Sequence, residues 1–275
     1  MRKGLIRLHF IFVFLHFFAI IYLEDILRWW IVVNNEYTDK VEVKLISKPE
    51  NMLKTIYTAC RTCYSNKSPS DIYTEIDDDK EKMLNLITKV ISSGHYSTIE
   101  HVQVSFAISG ISRACSHQLV RHRHMSFSQK SQRYVEEKGQ FKYIIPKAIE
   151  NNEELLKKFN DFMKMTSTFY REMVEFGVKP EDARSILPNA TSTSMVASLN
   201  LRELIHLCNL RLCTRAQYEI REMTNQMVKC LLEVEPWLKP YLVPKCERLG
   251  FCDEHKSCGR KPKLELIQQS FLNKV

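Results

Sequence analysis

The chain has 275 residues, 44% of them hydrophobic, enough for one sizeable core with a helical extension. Its net charge of +8 suits an anionic ligand, whether nucleic acid, membrane surface or phosphorylated metabolite, without choosing among them. Only seven glycines are present, and neither G-x-G-x-x-G nor a P-loop occurs, which excludes a glycine-cradled dinucleotide or triphosphate. Any nucleotide must therefore be held by side chains.

Residues 1–40 read as an extension outside the fold. Arg2 and Lys3 precede an apolar run from Phe10 to Leu23, broken only by His16, and Glu24-Asp25 follows without a small-residue cleavage site. The segment resembles a short anchor or signal core, or the product of a start placed upstream of the true one. A recognisable domain is expected over 41–243, with a cysteine-bearing tail over 244–275. The alternating Val41–Ile46 predicts the first strand. Ser47 with Glu50 predicts a capping box opening a helix to about Tyr64. A second helix is expected from Asp78 to Ser93, closed by Gly94, and Val102, Val104, Phe106 and Ile108 then alternate as a half-buried strand. Tyr143-Ile144-Ile145 reads as a short strand. Leu155, Phe159, Phe162, Phe169, Met173 and Phe176 recur at three-four spacing, predicting a long amphipathic helix ended by Gly177. Ser192–Leu199 reads as a strand and 201–235 as two helices. This irregular interleaving favours an α+β fold with a mixed central sheet flanked by helices over a doubly wound one.

Nine scattered cysteines, an odd number, fit a reducing, cytoplasmic setting better than a disulfide framework. Cys60 and Cys63 form C-x-x-C inside a helical pattern and read as two thiols one turn apart. Cys246, Cys252 and Cys258 with His255 sketch a zinc knuckle, but their six-residue steps fit poorly with the short spacings of structural zinc sites, so no metal is assigned.

The densest chemistry lies in Arg121-His122-Arg123, followed by Ser126, Gln129-Lys130-Ser131-Gln132 and Arg133. Arginine forks bind phosphate through paired hydrogen bonds, and hydroxyls complete the shell. A second polar island falls on the helix 201–212. Arg202, His206 and Asn209 share one face, while Arg211 sits on the apolar stripe with Leu204, Leu207 and Cys208. A guanidinium there needs a partner, either a buried acid such as Glu219 or a ligand.

The spacing R-H-R-x2-S-x4-S-x-R resembles the signature of the flavin-dependent thymidylate synthases. Further likenesses run in the family's order: His95-x-Ser97-x-x-Glu100-His101, Gln118 before Arg121, Ala183-Arg184-x-x-Leu187-Pro188, Asn200-Leu201-Arg202, and Asn209-Leu210-Arg211 with Ala216-Gln217. The resemblance implies a homotetramer with FAD sites shared between subunits. It implies methylation of dUMP to dTMP with 5,10-methylenetetrahydrofolate as carbon donor and NADPH reducing the flavin. It further implies FAD contacts at Ser97, Arg121, His122, Arg123, Gln129, Asn200, Leu201, Arg202 and His206. The dUMP contacts implied are Gln118, Leu119, Val120, Arg121, Gln129, Lys130, Ser131, Gln132, Arg133, Arg184 and Arg211. Arg211 is implied as the group that stabilises an anionic uracil, with no cysteine nucleophile. Gln129, Gln132 and His206 depart from the glutamate, glycine and asparagine common in relatives; all three can still hydrogen-bond.

Two other classes compete. A nucleic-acid module would track phosphates with Arg121–His124 and Lys142 over an exposed face interleaved with aromatics. The hydroxyls within the signature and its apolar neighbourhood run against it. A membrane-associated structural protein would rest on residues 1–33 alone.

Overall fold

A computed structural model describes residues 38–76 and 79–267. The apolar run before Leu23 lies outside the described residues, and among those described no helix is long and apolar enough to cross a membrane.

Four strands form one sheet in the order β1-β2-β4-β3: β1 Glu42–Ser47, β2 Gln103–Ser112, β3 Met125–Gln129 and β4 Ser192–Asn200. The α+β reading holds. Each ladder is antiparallel, and parallel pairing occurs only in isolated bridges such as Thr38 with Tyr143. The expected strand at Tyr143 is no more than that bridge and a second one to Thr191.

Helices α1 Met52–Thr62, α2 Pro69–Glu75 and α3 Lys80–Ser92 precede β2. Asn51, not Ser47, caps α1 by accepting from Lys54 N at 3.0 Å, because Ser47 is still paired in β1. Asp79 caps α3 in the same way. Each such cap is worth about 1 kcal/mol. Helix α4 Arg113–Leu119 follows β2 directly, and β3 follows the basic turn. That third strand lies within the signature itself, where Met125 and Phe127 alternate with Ser126 and Ser128 over only five residues.

Helix α5 Glu153–Glu175 exists as expected, but its burial is rotated. Met163, Thr166, Ser167 and Tyr170 face inward, while Phe162, Phe169 and Phe176 are 50, 52 and 89% exposed. Ser167 explains the rotation. Its hydroxyl donates to Gly139 O and accepts from Phe141 N, both at 3.2 Å, satisfying a Phe141 N–H that would otherwise be buried unpaired.

Helices α6 Leu201–Arg211 and α7 Tyr218–Val234 complete the domain, and α8 Lys245–Leu249 opens the tail. The main core is built from β2, β4, α1, α3, α6 and α7, with Phe106, Ile108, Leu204, Leu207, Met223 and Met227 fully or almost fully buried. Registers place Gln103 opposite Asn200, and Met125 opposite Leu199. The start of β3 and the end of β4 therefore share one sheet end, which brings the basic turn beside the start of α6.

Gly110 occupies the irregularity in β2 between Ile108 and Ile111 at φ +66°, and a Cβ there would collide with the Lys40 carbonyl. Gly94, at φ +84°, has nothing within 4 Å of such an atom. Gly94→Ala should cost about 1 kcal/mol from backbone conformation alone, whereas Gly110→Ala should cost clearly more. Chemical denaturation of the two variants checks this, and equal losses would contradict the collision.

Candidate active site

The basic turn is aimed from both of its ends. At the start of α4, the Ser112 hydroxyl accepts from Cys115 N at 3.0 Å and donates to Glu219 Oε2 at 2.7 Å; Ser112 N also donates to Glu219. Glu219 is thus spent on the helix start. It does not pair with Arg211, which corrects the buried ion pair that the sequence left open. At the other end, His122 N donates to Leu119 O at 3.0 Å and the chain reverses into β3.

Within Arg121–His124 only His122 is buried, at 5% exposure. Its Nδ1 lies 3.0 Å from Glu203 Oε1, and its Nε2 lies 3.1 Å from Arg211 Nε. Proton positions follow from donor types. The Arg211 Nε–H can only donate, so His122 Nε2 must carry the lone pair and Nδ1 the proton, which it donates to Glu203. The ring is therefore neutral. Burial pushes its pKa below the ordinary histidine value; Glu203 pulls the other way, and the Arg211 charge reinforces the lowering.

Glu203 sits in the first turn of α6, where the helix dipole favours a carboxylate, and Asn200 Oδ1 accepts from its backbone N at 2.9 Å. Arg211 Nη2 also donates to Gln118 O at 3.2 Å. No described carboxylate pairs with Arg211, so its remaining donors are left for a ligand.

Glu203 also lines a cavity of about 450 Å³, together with Glu100, His124, Asn200, Arg202 and His206. Arg202 pairs with Glu100 at 2.5 Å on the surface, an interaction weak enough to yield to a phosphate. Arg121 and Arg123 are exposed and make no hydrogen bond or ion pair with another described residue. Ser97 is exposed in the turn just before Glu100. Arg202 at the cavity, with Arg121 and Arg123 exposed on the basic turn, fits a flavin dinucleotide whose diphosphate is held by side chains.

His122, Glu203 and His206 also offer ligand atoms within 4.8 Å of one another. Both ring nitrogens of His122 are committed to protein partners, and the Arg211 charge lies against the group, so a hydrogen-bonded relay describes it better than a metal centre.

A second grouping gathers the anion-binding candidates after the turn. Arg133 Nε pairs with Glu181 Oε2 at 2.7 Å, and Arg184 Nε donates to Glu181 O at 3.0 Å. Ser131 Oγ accepts from Arg133 N at 3.2 Å. Arg113, absent from the sequence-based set, joins them. Its guanidinium donates to Lys130 O at 3.4 Å, and burial followed by the Arg184 charge lowers its pKa. Four residues are engaged within the protein: Gln129 with Thr193, Gln118 with Gln217, and Lys130 with Glu137 at 2.6 Å, while Leu119 is fully buried. Leu201 is buried likewise. Both leucine side chains pack in the core, which leaves their backbone as the part that can meet a ligand. Val120 is 41% exposed at the turn, and Gln132 is half-buried beside Ser131.

Glu203 was missed from the sequence, and Glu100 entered only as part of a family likeness. Asn200-x-x-Glu203 looks like an ordinary capping box, and nothing local shows that its carboxylate turns instead to a histidine 81 positions away.

A neutral His122 in the fold makes a pH prediction. Its depressed pKa means that its contribution to stability is fully present above the unfolded value and is lost as pH falls through the folded one. Between about pH 7.5 and about pH 5.5, the wild type should lose more melting temperature than His122→Gln. Equal losses by thermal denaturation would contradict a neutral, buried ring.

Residues 44–237 match the family model described as thymidylate synthase complementing protein. The flavin-dependent thymidylate synthase of Nitratidesulfovibrio vulgaris is 40% identical over 233 residues, covering 80% of this chain and 95% of the relative. That of Pyrococcus abyssi is 38% identical, covering 78% and 91%. Among solved structures, Thymidylate Synthase X from Helicobacter pylori with FAD and dUMP aligns with TM-score 0.58 and 26% identity, covering 73% of this chain and 99% of that one. The UMP/dUMP methylase PolB from Streptomyces cacaoi, bound with 5-Br dUMP, shares the fold with TM-score 0.64 at 20% identity, covering 74% and 96%. With its arginine–histidine–glutamate relay, its unspent arginines and these relatives, the chain belongs to the flavin-dependent thymidylate synthase family.

Proposed function

We propose that this chain converts dUMP to dTMP by reductive methylation, with 5,10-methylenetetrahydrofolate as carbon donor and NADPH as the source of electrons for FAD. The observation that carries the reading is Arg211: a guanidinium on an apolar helix stripe, oriented by a neutral histidine and without a carboxylate partner. Such a donor is preorganised for negative charge developing on a uracil ring.

Arg121, Arg123, Arg202, Asn200 and His206, with Ser97, would hold FAD, and His122 orients Arg211. When bound, FAD supplies the reducing equivalents that turn a transferred methylene into a methyl group. Ser131, Gln132, Arg133 and Arg184, joined by Arg113, would hold the dUMP phosphate, with Gln118 and the exposed turn flanking the base. The Glu181 contact to Arg133 is the one a phosphate would displace.

Cysteine is left out of the chemistry. Cys115 is fully buried, and burial pushes its thiol far above the range in which a thiolate forms. Cys208, on α6 near Arg211, is likewise buried and raised.

A homotetramer fits the outward stripe of α5. Phe162, Met165 and Phe169, with Ile186, line an open apolar groove of about 730 Å³, large for a surface left to water. Phe169→Glu should give a smaller species by light scattering and lose flavin, because the FAD sites are shared between subunits. An unchanged mass would remove this face from the assembly. A cytoplasmic setting is the reading most consistent with nine free thiols.

Arg211→Ala should keep fold and flavin while lowering tritium release from C5-labelled dUMP by about 10²–10³, equivalent to about 3–4 kcal/mol. Arg211→Lys should recover only part, since it retains charge but not the planar fork. Arg123→Ala should instead lose flavin. Near-normal release from the alanine variant would take Arg211 out of the mechanism.

A further inference from the structure

Cys213, Cys246, Cys252 and Cys258 line one small cavity of about 80 Å³ between the end of α6 and the tail. Cys246 is within electrostatic reach of both Cys213 and Cys252. The fold brings them there by several independent contacts. Helix α8 ends at Gly250, whose φ of +80° reverses the chain so that Cys252 returns towards Cys246. Cys252 N then donates to Pro262 O at 2.8 Å, and Cys252 bridges Lys263, closing the loop that carries Cys258. Arg215 pairs with Glu254 at 2.6 Å, and Arg248 Nε reaches Asn209 Oδ1 at 3.5 Å, so the tail is held against the α6 end.

We propose that these four cysteines form a zinc tetrathiolate that fastens the tail to the catalytic domain. Four sulfurs are the ligand set that zinc takes in closed structural sites. Zinc with four thiolates carries two net negative charges, and the segment 245–263 supplies six lysines and arginines against three carboxylates. That excess suits a dianionic centre. The ligand set differs from the one a reading of the tail alone suggests. His255 does not line the cavity and serves only through its carbonyl, which accepts from Lys263 Nζ at 2.8 Å. The fourth ligand comes instead from Cys213, more than thirty residues upstream. No three of the sulfurs lie within 4.8 Å of one another among the described residues, so more than one of the segments that carry them closes in as the ion binds.

The site has a consequence for the domain. Cys213 stands two residues after Arg211, in the loop between α6 and α7. Zinc there pins the end of the helix that presents the guanidinium.

The test is metal content of the full chain expressed with added zinc and measured by elemental mass spectrometry. Wild type, His255→Ala and His206→Ala should each carry about one zinc per chain. Cys258→Ser and Cys213→Ser should lose it; Cys258 is exposed, so its variant is expected to stay folded, which circular dichroism verifies. Cobalt-loaded wild type should show sulfur-to-metal charge-transfer bands that Cys258→Ser lacks. Any of these results would overturn the proposal: far less than one zinc in wild type, zinc retained by both serine variants, iron in place of zinc, or a disulfide among the four in non-reducing mass analysis. A loss of zinc in His206→Ala alone would move the metal to the other cluster and also overturn it.

Discussion

The buried contact between His122, Glu203 and Arg211 is the constraint on which the rest of the site depends. An arginine among leucines must donate to something, and a histidine can accept only if its other nitrogen keeps the proton. Glu203 holds that proton in place, so one buried carboxylate orients a guanidinium it does not touch. The three side chains come from the basic turn and the two ends of α6. Moving either element would break two hydrogen bonds at once, leaving buried polar groups that cost far more unpaired than they gain when paired.

Sheet register makes that contact possible. Antiparallel pairing of β3 and β4 sets Met125 against Leu199, so the residues just before one and just after the other meet at the same end. The turn carrying Arg121–His124 and the helix start carrying Asn200 and Arg202 are thereby neighbours without any dedicated linker. Glu219 contributes from a distance. By capping α4 through Ser112, it fixes where the turn begins, which is why it is unavailable to neutralise Arg211. The same pairing explains how a dinucleotide can be accommodated without a glycine-rich loop: charge on long side chains replaces backbone donors.

Two surfaces of the domain follow from hydrogen bonds and charges rather than from apolar burial. The apolar row of α5 faces out because Ser167 and Tyr170 are needed inside, where the 137–141 loop requires hydrogen-bond partners. The tail is held at the end of α6 by one ion pair, one hydrogen bond and a cysteine-lined cavity, which fits a segment beyond the 44–237 family match.

Local chemistry determined much of this by itself. The strands at 42–47 and 103–112 and the helices at 80–92, 201–211 and 218–234 follow from period and caps, and the R-H-R spacing identified the family. Those signals involve neighbours within a few residues, where side-chain alternation and helix geometry act directly. Strand β3 was not legible because its alternation runs for only five residues, inside a stretch dominated by basic and hydroxyl side chains. The inward face of α5 could not be chosen from periodicity, since a serine buried for a loop's backbone outweighed a row of phenylalanines. Glu203 as the partner of His122, Arg113 beside Arg184, and Cys213 beside the tail cysteines were decided only by tertiary structure. Each joins residues far apart in the chain, and hydrogen bonds and charges act through distances in space that spacing along a sequence does not encode.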